Sequence, residues 1–220
     1  MSKTEKVRQY FVRSAATFDS LYSENKMGPL TTFINRKFRR CIYDRFILSI
    51  KHARKYKLET VLDVGCGSGR YAYALAQLGA RRIVGIDFSQ TMIDLAVKNT
   101  SKIQGANEIF EFICRDFTEF QTEETFDVVL AMGFFDYIND PIPILKKMKK
   151  LTNHSIIASF PSISIYRTPI RKIRYYFKRC PVYFYNRDKI ISFCSKAGFA
   201  KNEIVKIKGA GMDYFVTFFK

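Results

Sequence analysis

Residues 61–71 read VLDVGCGSGRY, and the next apolar run, residues 81–89, reads RRIVGIDFS. The first is an apolar, β-branched stretch that ends in three glycines at alternate positions, Gly65, Gly67 and Gly69, before a helical pattern begins. Residues without a Cβ let the backbone turn sharply and admit a ligand to contact distance. The first turn of the following helix offers N–H groups that have no intrahelical partner. Asp87 ends the second run 22 residues after Gly65, about the interval at which a βαβ unit brings a carboxylate to ribose hydroxyls. The pattern implies a bound nucleoside.

The glycine spacing narrows that ligand. A dinucleotide fingerprint is G-x-G-x-x-G, whereas here Arg70 occupies the place of the third glycine. Asp63, just before the turn, suits an ammonium group or the loop N–H groups and is unwelcome beside a pyrophosphate. The stretch DVGCGSG resembles motif I of the class I S-adenosylmethionine-dependent methyltransferases, D-x-G-x-G-x-G, in the same strand–turn–helix context. The resemblance implies that Asp63, Gly65, Cys66, Gly67 and Gly69 surround the methionyl and ribose parts of S-adenosyl-L-methionine. Asp87 with Phe88 would hold the ribose hydroxyls, and Asp116 with Phe117 the adenine. Met92 would cover the other adenine face or belong to a helix core. Met132 and Gly133 would flank the methionyl portion, and S-adenosyl-L-homocysteine would be the product. The N-terminal VRQYF and SAATFDSLY resemble the leading helix of small-molecule methyltransferases of the ubiquinone-biosynthesis and magnesium-protoporphyrin types. Tyr10, Phe18 and Tyr22 would then be lid contacts, and Arg39 or Arg40 a partner for the methionyl carboxylate.

Composition sets the outer limits. A chain of 220 residues with 47% apolar residues suits one α/β domain with modest decoration. The longest apolar stretch, residues 128–135, is too short for a membrane span, and MSKTEKVRQY lacks the apolar region of a secretory signal. Five cysteines without a C-x-x-C pair, and two histidines, point away from a disulfide framework or a zinc site. A cytoplasmic, reducing compartment and a site without metal are expected. The net charge of +17 is uneven. Residues 1–60 carry 14 Lys/Arg against 5 Asp/Glu, residues 61–150 carry 10 against 12, and residues 151–220 carry 13 against 3. The basic ends would attract an anionic partner if they meet over the site; solvated lysine-rich faces are the alternative.

Strands are expected at 59–64, 82–87, 109–114, 126–132, 155–160, 200–208 and 213–219. Helices are expected within 4–22 and at 31–56, 68–79, 90–100 with Ser89 as N-cap, 141–151 and 187–197. The division is one domain: a helical cap (1–57), a cofactor-binding core (58–161), an insertion (162–185), and a C-terminal helix with a hairpin turning at residues 209–211 (186–220). By the resemblance, the fold is a doubly wound seven-stranded α/β sheet of order 3-2-1-4-5-7-6 with strand 7 antiparallel.

The segment GFFDYIND, residues 133–140, falls where related enzymes place their reaction chamber. Asp136 is a candidate base or orienting carboxylate, and Tyr137 a candidate acceptor contact. The insertion opens with Thr168-Pro169 as a helix-start pair. Ile170, Ile173 and Phe177 form one face there, ringed by Arg171, Lys172, Arg174, Lys178 and Arg179. It reads as a lid over an anionic small-molecule substrate, as a helix on an anionic membrane surface, or as an RNA-facing patch. The function expected is methyl transfer to an oxygen or nitrogen of a small or medium-sized, anionic metabolite. An RNA methyltransferase and a non-catalytic cofactor-binding subunit are the alternatives; the oligomeric state stays open.

Overall fold

β-branched and aromatic runs bounded by glycine loops and acidic turns build a single sheet. The structure is a computed structural model that describes residues 5–10, 43–55, 58–165, 167–207 and 213–220. Its strands are β1 (Thr60–Val64), β2 (Arg82–Asp87), β3 (Phe110–Cys114), β4 (Phe126–Ala131), β5 (Thr152–Phe160), β6 (Lys201–Lys206) and β7 (Tyr214–Phe219). They lie in the order β3-β2-β1-β4-β5-β7-β6. The first five are parallel, and β7 runs antiparallel between β5 and β6. This is the doubly wound order expected from the resemblance.

Helical residues 5–10 (α1) and 43–53 (α2) precede the sheet. The other helices are α3 (Arg70–Gln77), α4 (Gln90–Thr100), the one-turn α5 (Ala106–Ile109), α6 (Pro141–Leu151), α7 (Arg167–Phe177) and α8 (Arg187–Ala197). Both sheet faces are covered, so β4 buries alternate residues on opposite sides. Val129 and Ala131 pack with Leu62, Ile156, Met148 and Ile190, while Val128 and Leu130 pack with Val61, Leu75, Ala53 and Phe215. Two-sided burial explains why residues 128–131 of the strand are all apolar. Each such side chain contributes about 1.5–3 kcal/mol relative to exposure. Asp140 caps α6 by accepting from the Ile142 N–H at 3.1 Å, and Asn186 caps α8 by accepting from Lys189 N–H at 2.9 Å.

Several boundaries shift. β5 starts at Thr152, three residues early, because it continues straight from α6. β3 starts one residue late because Ala106–Ile109 close a helical turn. Ser89 sits at the start of α4 but its hydroxyl caps nothing; its N–H instead donates to Asp87 Oδ1 at 2.9 Å. α7 begins at Arg167, so Thr168 lies in its first turn, where its hydroxyl accepts from the Ser164 N–H at 2.8 Å. Phe18, Tyr22, Phe38, Arg39, Arg40, Cys41, Ile42 and the hairpin turn at 209–211 lie outside the described residues. Among the described residues no helix is long and apolar enough to cross a membrane.

Candidate active site

β1 and β2 end side by side, and the loop after β1 is pinned to the end of β2. Gly65 and Cys66 both donate N–H groups to the Ile86 carbonyl, at 2.8 and 3.0 Å. The next free N–H, that of Gly67, then points at the Asp87 carboxylate, 3.0 Å from Oδ2. The motif glycines differ in what surrounds them. A Cβ on Gly69 would stand 2.9 Å from the Ala96 Cβ, so this glycine lets α3 lie against α4. A Cβ on Gly65 would stand 3.1 Å from the Phe134 ring, whereas nothing lies within 4 Å of the one on Gly67. The free space of the loop is therefore at Gly67.

Two acids sit beneath that space with no cation on them among the described residues. Asp63 is fully buried, and its Oδ2 has no hydrogen-bond partner among the described residues. Burial, and then the nearby Asp87, push its carboxyl up to about 7. Burial lifts Asp87 to about 6 against the pull of the Ser89, Gly67 and Phe88 N–H groups. Cys66 is driven well above its ordinary value by burial, then by Asp63 and Asp87, which makes it an inert, protonated thiol.

Along the rim, Asp116 Oδ1 accepts from the Thr118 N–H (2.8 Å) and hydroxyl (2.7 Å), which sets Phe117 inward. Lys147 of α6 holds the same turn through the carbonyls of Phe117 (2.7 Å), Thr118 (2.9 Å) and Phe120 (2.5 Å). Its ammonium also lies 4.9 Å from the Phe117 ring centre. Met92 is buried on α4, and Met132 is buried after β4. Gly133 donates its N–H to Ser159 Oγ at 2.7 Å. Arg45, from α2, comes in beside it. Its guanidinium nitrogens lie 3.5 and 3.6 Å from where a Gly133 Cβ would stand, and Nη1 is 3.7 Å from Asp213 Oδ2. The candidates Arg39 and Arg40 lie outside the described residues, and Arg45 is a further arginine that the sequence reading does not single out.

Helix α7, which follows β5, packs against the turn that follows β4. Asp136, in the 3-10 turn Phe135–Tyr137, is buried and pairs with Arg171 of α7, Oδ2 to Nη2 at 2.5 Å. Burial opposes the Arg171 charge, but Asp136, Tyr175, Asp213 and Tyr137 together outweigh it and hold the guanidinium above its ordinary value. The Tyr137 hydroxyl is 3.4 Å from that of Tyr175. Burial, and then Tyr175 and Asp136, hold Tyr137 well above the usual phenol range. Tyr10 of α1 packs on Tyr175, with ring centres 5.6 Å apart, and Lys178 Nζ is 3.4 Å from the Tyr10 hydroxyl. Phe88 joins Val7, Tyr10, Cys180, Tyr137 and Tyr175 in one small cluster. Residues just past the ends of β2 and β4 are thus packed against α1 and α7.

Ile170, Ile173 and Phe177 do share a face, but that face points away from the protein, and Arg171 and Tyr175 point in. A buried carboxylate at 136 draws the cation inward, and the apolar stripe is left outside. A cleft of about 400 Å3 beside β2 and β3, walled by Arg82, Glu111, Arg115 and Glu124, takes no wall from the glycine loop, Asp87 or α7. Arg82 is already paired there with Glu124 (2.6 Å) and Glu111 (2.8 Å).

Sheet order and glycine loop together define a class I, Rossmann-like methyltransferase fold. The family model described as "Methyltransferase domain" matches residues 55–178, more than half of the chain, and the chain belongs to that family. Among curated relatives, the ubiquinone biosynthesis O-methyltransferase of Actinobacillus pleuropneumoniae serotype 7 is 32% identical over 107 residues, covering 47% of this chain and 45% of that protein. That of Coxiella burnetii is 34% identical over 128 residues, covering 57% and 49%. The chain thus spans about half the length of the curated relatives it matches. Magnesium protoporphyrin IX methyltransferase from Synechocystis PCC 6803, solved with bound SAH, superposes over 99% of both chains with a TM-score of 0.79 at 18% identity. The N-methyltransferase NodS of Bradyrhizobium japonicum WM9, in complex with S-adenosyl-L-homocysteine, covers 98% of both with a TM-score of 0.66 at 16% identity. These structural likenesses concern the fold.

Proposed function

We propose that this chain, acting as one methyltransferase domain, binds S-adenosyl-L-methionine at the glycine loop and methylates an oxygen or nitrogen of a small or medium-sized anionic metabolite. The observation that carries the reading is the open space at Gly67, bordered by Asp87 and the buried Asp63, two acids with no cation of their own among the described residues. Hydroxyl and ammonium donors are what such a pair lacks, and a ribose with an amino-acid tail offers both. The O-methyltransferase names of the curated relatives support oxygen before nitrogen. Cysteine usage supports the cytoplasm as its compartment.

When bound, the cofactor would supply a methyl group on a sulfonium; transfer to the acceptor's lone pair would return the C–S electrons to sulfur and release the acceptor's proton to solvent. The chain's part is largely to position and to exclude water. Asp87 takes the ribose hydroxyls while Gly67 N–H keeps its carboxylate oriented. Asp116 and Phe117 hold the adenine from one side and Met92 packs from the other. Arg45, between Gly133 and Asp213, takes the methionyl carboxylate, with Met132 beside it. Asp136 keeps Arg171 in the roof, and Lys178 and the Tyr137 hydroxyl supply the cation and the donor that select an anionic acceptor.

Calorimetry with wild type and Asp87→Ala tests the cofactor site: affinity should fall on the order of 100-fold, as expected for losing charge-assisted hydrogen bonds. Unchanged affinity overturns the assignment. Labelled cofactor incubated with cell extract should label a small acidic compound; label found only in RNA rejects the metabolite reading.

A further inference from the structure

The outer face of α7 has no role in the site just described. Ile170, Ile173, Tyr176 and Phe177 are 67, 59, 80 and 80% exposed, and Ile163 and Ile165, in the segment that leads into α7, are 52 and 85% exposed. More than half of the large apolar side chains that the described residues leave exposed stand in these fifteen positions, 163–177. A contiguous apolar patch of this kind marks an interaction surface. Exposed Lys172, Arg174 and Arg179 border it, and the chain has no Asp or Glu between Asp140 and Asp188. The helix is two-sided by construction. Arg171, Tyr175 and Lys178 recur at helical spacing on the inner side, while Ile170, Ile173 and Phe177 recur on the outer side, away from the protein's own core.

We propose that α7 docks, outer face down, on an anionic lipid bilayer. An aliphatic stripe flanked by lysine and arginine suits the boundary between acyl chains and negative headgroups. Tyr176 beside Phe177 adds aromatic surface at the same level. Charge decides against the competing occupants. A second copy would press together two faces from a segment carrying 13 Lys/Arg and 3 Asp/Glu. A nucleic acid would use the cations and aromatic rings but would gain little from four exposed isoleucines. The inference stands on α7 alone and does not depend on which acceptor is methylated.

The full chain is tested by flotation with vesicles of phosphatidylcholine alone and with phosphatidylglycerol added. Because the chain has no tryptophan, Phe177→Trp supplies a single emission probe. Partition onto the anionic vesicles should exceed that onto the neutral ones by at least about tenfold, with a blue shift of the Trp emission. The double variant Ile170→Ser/Ile173→Ser should lose about tenfold or more of that partition while its thermal midpoint and cofactor affinity stay the same. Equal partition onto both vesicles overturns the proposal, as does anionic binding that the serine variant leaves intact. Self-association abolished by the variant without vesicle binding assigns the face to a second copy. Retention of single-stranded RNA without vesicle binding assigns it to nucleic acid; either result also overturns the proposal. If the serine variant does not fold, the wild-type vesicle pair and the Trp emission still decide.

Discussion

The glycine loop and the lid helix α7 each border the candidate site with buried carboxylates, and they treat them in opposite ways. At the loop, Asp63 and Asp87 have no cation among the described residues, and burial lifts both well above the ordinary carboxylate range. At the lid, Asp136 has the Arg171 guanidinium at 2.5 Å. An acid left without its counter-charge is built for donors that arrive with a ligand. An acid already paired is built to hold two parts of the chain together. The comparison separates binding charges from architectural ones without reference to any relative.

The largest expected effect breaks the architectural pair. Arg171→Met leaves Asp136 buried and uncompensated and should cost about 3 kcal/mol in a denaturant titration, a figure lowered for the 27% exposure of the arginine side chain. Adding Asp136→Leu should recover most of the loss, since removing both charges of a buried pair is far milder than removing one. A single-variant cost below about 1 kcal/mol, the range of surface pairs, removes the latch.

Next comes Gly69→Ala. The backbone there has φ +73°, and the new Cβ would meet Ala96 at 2.9 Å. Strain plus overpacking should cost about 2 kcal/mol. Gly67→Ala has only its φ of +52° against it, and should cost about 1 kcal/mol in stability but weaken cofactor binding more than Gly69→Ala does. The reverse ranking in calorimetry would move the ligand space away from Gly67.

A smaller effect is expected at Lys147, which touches the site only through the Asp116–Phe117 turn. Lys147→Met frees three carbonyls and should raise the cofactor KM several-fold with kcat nearly unchanged, a loss of roughly 1 kcal/mol. A change in kcat alone would exclude this positioning role.

The mildest test is pH. The Asp63 and Asp87 carboxyls, raised from 3.8 to about 7 and about 6, keep protons in the folded state that the unfolded chain has already lost. Their contribution to stability is full below the unfolded value and disappears as pH rises through about 6 to 7. Donors on the cofactor favour the ionised acids, so affinity should rise a few-fold between about pH 5.5 and about pH 7.5 with proton release on binding. Asp63→Asn should flatten both curves; an unchanged profile would place the titration elsewhere.

Much of the proposed cofactor side is placed together by the sequence reading and lies together in the structure. Gly65, Gly67, Gly69 and Asp87 come together because a parallel βαβ unit leaves few other ways to place a loop and the next strand end. Asp116 and Phe117 follow from strand order. Arg45 is not legible, because no motif marks it and only its docking against Gly133, Ser159 and Asp213 brings it to the site. Nor is Lys147 legible, since a lysine near a helix C-terminus ordinarily needs no partner beyond the helix dipole.

Local sequence determined what the backbone can do: where it turns at positive φ, where both sides of a strand must be apolar, and which acid ends β2. Those are short-range constraints, set by sterics and hydrogen bonding within a few residues. Tertiary structure decided which side of α7 faces inward. Hydrophobic periodicity alone would bury Ile170, Ile173 and Phe177, but a carboxylate enclosed at position 136 needs a counter-charge more than the core needs another isoleucine. That choice sets residue 171 against residue 136, thirty-five positions apart, and no local pattern encodes it.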